Sequence, residues 1–75
     1  MKLVQTCGAC PEQYDLMDEG VRIGYLRLRH GYFYATVEPS GRVVYEADTI
    51  GDGIFDSTER EYHLSRAVAA IWAAS

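Results

Sequence analysis

The residues best suited to chemistry are tyrosines and arginines that alternate: Tyr25, Arg27 and Arg29 in one segment, Tyr32 and Tyr34 in the next. A spacing of two is that of a β-strand, whose successive side chains point to opposite faces. The residues between them, Leu26, Leu28 and Phe33, are apolar. A hairpin of these segments therefore has one apolar face and one face of rings and guanidinium groups. Arg offers a planar fork of donors that matches phosphate, and Tyr offers a ring on which a base can stack. Together they make a platform for an anionic, nucleotide-type ligand, with Arg42 past the next turn as a further cation. The same face also reads as a solvated sheet surface, a seam between two copies of the chain, or a docking surface for another protein.

Two other clusters invite chemical readings. Asp48 to Glu59 has the length of a calcium loop of the EF-hand type, with Asp48, Asp52, Gly53, Asp56 and Glu59 at the first, fifth, sixth, ninth and twelfth positions. Ile50, at the third, has no side-chain oxygen, and a strand precedes the loop where an EF-hand has a helix. Carboxylates ahead of a helix also answer its unpaired amides and its dipole, so the expectation is a turn and helix cap, with calcium the alternative. Cys7-Gly8-Ala9-Cys10 is half of a zinc site, but His30 and His63 lack the short spacing of a finger. As a redox dithiol, the motif lacks its βαβ context. Two reduced, half-buried thiols ending a strand are expected, with zinc the alternative. No nucleophilic triad or phosphate-cradling glycine loop is present, and two histidines leave little acid–base machinery. The expectation is a protein that binds and does not catalyse, with no resident cofactor and with His30 as a turn residue.

The elements that must position these groups follow from turn signals. Strands are expected at about 2 to 6, 13 to 18, 21 to 29, 32 to 38 and 42 to 47, separated by Asp18-Glu19-Gly20, His30-Gly31 and Pro39-Ser40-Gly41. The hairpin at His30-Gly31 sets Arg29 opposite Tyr32 and Arg27 opposite Tyr34. A three-residue loop at Pro39 to Gly41 sets Glu38 opposite Arg42 and Val37 opposite Val43. Val43 and Tyr45 then join Leu26, Leu28, Phe33, Ala35 and Val37 on the apolar face, with Val44 opposite them. From Thr58 to about Ala74 the period becomes helical, with Leu64, Val68 and Ile71 as the stripe and Thr58 and Glu61 at capping-box spacing. The predicted fold is α+β: a four- to five-stranded antiparallel β-meander with one C-terminal helix packed on one face. One domain, 1–75, is expected, with the sheet over about 2–47, an acidic loop over 48–57 and the helix over about 58–74.

Seventy-five residues that are 48% hydrophobic and 24% charged suit a small folded domain without a membrane span. A net charge of −4 argues against duplex nucleic acid as a partner, since such binding draws on excess Lys and Arg. The charge is segregated, however: Arg22, Arg27, Arg29 and Arg42 face only Glu38 between Gly20 and Tyr45, and six carboxylates face Arg60 from Glu46 to Glu61. Such a dipolar chain suits a small anionic ligand or self-association. The start, MKLVQTCGAC, is too short in apolar residues for a signal peptide, so a cytoplasmic location is expected.

The stretch GYLRLRHGYFYATVEPSGRVVYEA (Gly24 to Ala47), with GDGIF (Gly51 to Phe55), Glu59-Arg60 and CPEQYD (Cys10 to Asp15), resembles a family of small tailed-bacteriophage proteins. The resemblance runs from Cys10 to about Ile71 and assigns no activity, so no residue takes a role from it. It implies a context, the host cytoplasm, in which small phage proteins bind a host enzyme or sequester a signalling nucleotide of antiviral defence. A homo-oligomer using Tyr25, Arg27, Arg29, Tyr32, Tyr34 and Arg42 suits the second case. The alternative is an inhibitor of a host protein, acting through the same face or through the acidic segment as a nucleic-acid mimic. A zinc- or calcium-stabilised structural module is the third reading.

Overall fold

The computed structural model describes residues 1–8 and 11–75. Five strands form one open antiparallel sheet in chain order: β1 (Lys2–Gly8), β2 (Glu12–Asp18), β3 (Val21–Arg29), β4 (Tyr32–Val37) and β5 (Arg42–Asp48). The helix α1 (Arg60–Ala74) packs over β3, β4 and β5. The meander with one helix on one face is the architecture expected from the turn signals and the change of period.

The β3–β4 hairpin forms as its turn chemistry requires. His30 and Gly31 both take left-handed backbone angles, φ 55° and 73°, which match the twist of the strands and which Gly31 adopts without a Cβ penalty. Arg29 lies opposite Tyr32, Arg27 opposite Tyr34 and Leu28 opposite Phe33.

The β4–β5 hairpin departs from expectation. Its loop has four residues, Glu38 to Gly41, closed by the Gly41 N–H on the Val37 carbonyl at 2.9 Å, so Arg42 faces Val37 and not Glu38. The register recovers at Ala35 opposite Tyr45 because Val44 is an extra residue bulged between two pairs. A bulge reverses the facing of the residues between it and the turn. Val43, expected in the core, is 45% exposed on the open side, while Val44 packs against the core. Arg42 shares the helix side with the buried Val37.

The core lies between the sheet and the helix. Leu26, Leu28, Phe33 and Ala35 are fully buried beneath Ala67 and Ile71. Gly24 admits the helix: a Cβ there would stand 2.5 Å from Ile71 Cδ1. The buried stripe of α1 is His63, Ala67 and Ile71, with the expected Leu64 and Val68 at its margin. The Thr58–Glu61 capping box does not form, and α1 starts at Arg60. Instead the Asp56 carboxylate accepts the Thr58 N–H and hydroxyl at 2.9 and 2.6 Å, and the Asp56 carbonyl accepts the Glu59 and Arg60 N–H groups. The radius of gyration, 11.3 Å, is the ~11 Å of one compact domain of this length. No helix among the described residues is long and apolar enough to cross a membrane.

Candidate functional site

Phe55 of the loop and α1 lie on the core side, so among the described residues no helix or further strand covers the opposite face of the sheet. Tyr25, Arg27 and Arg29 project there from β3, and Tyr32 and Tyr34 from β4, because alternation and the hairpin register leave them no other side. The rings form a series. Tyr32 and Tyr34 are near-parallel with centroids 5.9 Å apart, and Tyr25 meets Tyr34 edge-on at 6.3 Å. Arg42, the sixth expected member, is separated from them by the bulge.

The cations on this face are not equivalent. Arg22 reaches Asp15 at 3.4 Å and Glu38 at 3.5 Å and lies over the Tyr25 ring at 5.7 Å, so its charge is answered within the protein. Arg27 and Arg29 take part in none of the ion pairs among the described residues. Arg27 Nε is, among the described residues, a buried side-chain atom without a hydrogen-bond partner. An N–H held out of water without an acceptor is costly, and a guanidinium so placed favours an incoming anion. The Tyr32 hydroxyl donates to Glu46 at 2.9 Å, which raises its pKa above the ordinary value. Burial, with the neighbouring Tyr34, raises that of Tyr25. Both rings stay neutral near pH 7 and keep their hydroxyl protons.

The acidic segment is organised by carboxylates turned inward. Glu59 is buried and accepts the N–H groups of Ile50, Gly51 and Asp56 at 2.8 to 3.0 Å. Glu12, 1% exposed, accepts the Phe55 N–H at 3.0 Å, a two-pronged bond from Arg60 at 3.0 and 3.1 Å, and the Tyr14 hydroxyl. Burial alone would raise both carboxyls, but these donors outweigh it and hold each below the ordinary glutamate value. Tyr14 is pushed up to about 12, first by burial and then by its bond to Glu12. His63 sits between Tyr45, whose hydroxyl is 2.8 Å from Nδ1, and Glu59, whose carboxylate is 3.6 Å from Nε2.

Asp48, Asp52, Asp56 and Glu59 therefore do not converge as a calcium loop would have them. Glu59 answers backbone amides and Asp56 answers Thr58, while Asp48 and Asp52 are exposed. Cys7 lies within β1 opposite Gln13, and Cys10, its expected companion, lies outside the described residues. Among the described residues no group of three or more His, Cys, Asp and Glu could hold a metal ion. Sequence reasoning passes over Glu12 because the turn signals start the second strand at Gln13, whereas β2 begins at Glu12. Its signal was its phase, since Glu12, Tyr14 and Leu16 share one side and the last two are buried. A carboxylate in an apolar phase must have partners.

No protein family, curated protein or solved structure matches the chain.

Proposed function

We propose that this protein is a binding protein and not an enzyme, and that its open sheet face takes up an anionic, ring-bearing ligand of the nucleotide class and sequesters it. The supporting observation is Arg27, whose buried Nε lacks a partner among the described residues while tyrosine rings stand near it on the same face. Arg29, two residues along, supplies a second guanidinium without an ion pair among the described residues. Phosphate oxygens would answer both guanidinium groups, and the rings would hold an attached base by stacking. The resemblance to tailed-phage proteins supplies a setting, the host cytoplasm, in which sequestration is useful. The acidic segment is the weaker candidate for function, because Glu59 and Asp56 are engaged within the fold.

Equilibrium titration with a panel of nucleotides tests this. Arg27→Glu with Arg29→Glu should abolish binding and leave the thermal melt within a few degrees of the parent, since neither side chain is in an ion pair among the described residues. Recovery of the ligand unchanged after incubation is expected of a sequestering protein. Undiminished affinity in the double variant would remove the open face from consideration.

A further inference from the structure

We infer that the ligand of the open face is a single-stranded oligonucleotide segment, two bases lying on Tyr34 and Tyr32 with their phosphates at Arg27 and Arg29. This rests on the nucleotide reading above and narrows it. A lone nucleotide needs a concave site that buries most of its surface. Among the described residues no element rises over this face: the helix and Phe55 lie on the other side, and the loop comes near only at the hairpin end, where Asp52 and Gly53 line a small pocket with Arg29 and His30. An uncovered sheet face holds a nucleic acid by repeating a modest contact, and antiparallel sheets with outward aromatic residues take two or three bases this way.

The spacing suits repetition. Arg27 and Arg29 are alternate residues of β3, so they stand roughly 7 Å apart on one side of the sheet, the order of one step along an extended nucleic acid strand. Each lies opposite a ring in the strand register, Arg27 opposite Tyr34 and Arg29 opposite Tyr32, so that cations and rings run side by side along the hairpin. Tyr25 packs edge-on against Tyr34 and steadies that ring. Charge limits the occupant to a single strand. Glu46, hydrogen-bonded to Tyr32, and Asp48, opposite Tyr32, border the track along β5, so a duplex lying across the sheet would bring its second backbone onto carboxylates.

Fluorescence anisotropy or competition with adenosine monophosphate, a deoxyadenosine dinucleotide, a deoxyadenosine hexanucleotide and its duplex tests the assignment on the whole chain. Affinity should rise roughly tenfold or more from mononucleotide to dinucleotide, and the duplex should bind more weakly than the single strand. With two phosphate contacts, the logarithm of the association constant should fall with the logarithm of salt at a slope of about −1.4, and Arg27→Gln should halve that slope. Tyr34→Ala should weaken the hexanucleotide about tenfold and Tyr34→Phe should not, with circular dichroism showing both variants folded. A mononucleotide that binds as tightly as the hexanucleotide would overturn the oligonucleotide assignment and leave the nucleotide reading intact. Failure of every nucleotide to bind would overturn both. A duplex that binds as tightly as its single strand would also overturn the assignment.

Discussion

Glu12 shows how much of this fold hangs on one buried carboxylate. It joins β2, the Phe55 amide of the loop and the first residue of α1, three elements far apart in sequence. Glu12→Ala leaves a guanidinium and an amide facing a void, and a urea melt should show a loss of about 3 kcal/mol. The pH dependence follows from the same bonds. Glu12 and Glu59 are held below their ordinary value of 4.5, so at acidic pH the unfolded chain binds more protons than the folded one. Their contribution is fully present above about pH 4.5 and is lost as pH falls through the folded values. The melting temperature should therefore drop on acidification, and Glu12→Gln should lower it at pH 7 while flattening the profile. A variant with the parent's acid profile would show that other carboxylates set the acid limit.

At the scale of the element, the β4–β5 hairpin carries the clearest test, because two neighbouring valines have opposite environments. Val44 packs against the core and Val43 is exposed. Val44→Thr should destabilise by about 1 to 2 kcal/mol, whereas Val43→Thr should stay within about 0.5 kcal/mol, both read from chemical denaturation. The reverse order would mean that the bulge is absent and that Arg42 shares the open face with Arg27 and Arg29 after all. The β3–β4 hairpin was legible because His30-Gly31 permits one register and every flanking residue agrees with it. The β4–β5 turn was not, since Glu38 can belong to the strand or to the loop, and each choice yields a consistent alternation of faces. Likewise the Thr58–Glu61 spacing permits a capping box, but Asp56 reaches the Thr58 donors first, and the Glu59 carboxylate turns back to the loop.

At the scale of the molecule, one helix does not cover five strands. α1 lies over β3 to β5, and the remaining part of that face opens as an apolar groove of about 380 Å³ between Leu3 on one side and Leu64, Val68 and Trp72 on the other. Trp72, the single tryptophan, is 54% exposed at its rim. Its emission in the dilute protein should be close to that of the unfolded chain and strongly quenched by acrylamide. A blue shift that grows with protein concentration would mean that a second copy covers the groove. An emission already blue-shifted and protected at the lowest concentration would contradict the open groove itself. Because the groove and the Tyr/Arg face lie on opposite sides of the sheet, mutation of Trp72 should leave nucleotide titrations unchanged.

The amino-acid sequence alone determined the meander, the C-terminal helix and the face shared by Tyr25, Arg27, Arg29, Tyr32 and Tyr34. These depend on local quantities: a period of two, a period near 3.6, and a glycine where the backbone must turn left-handed. Only the tertiary structure decided that Arg42 leaves that face, that Arg22 is neutralised while Arg27 is not, and that Glu12 and Glu59 order the acidic loop from within. Each of these is a competition among partners distant in the chain. Which carboxylate reaches which amide or guanidinium depends on distances that exist only once sheet, loop and helix have packed.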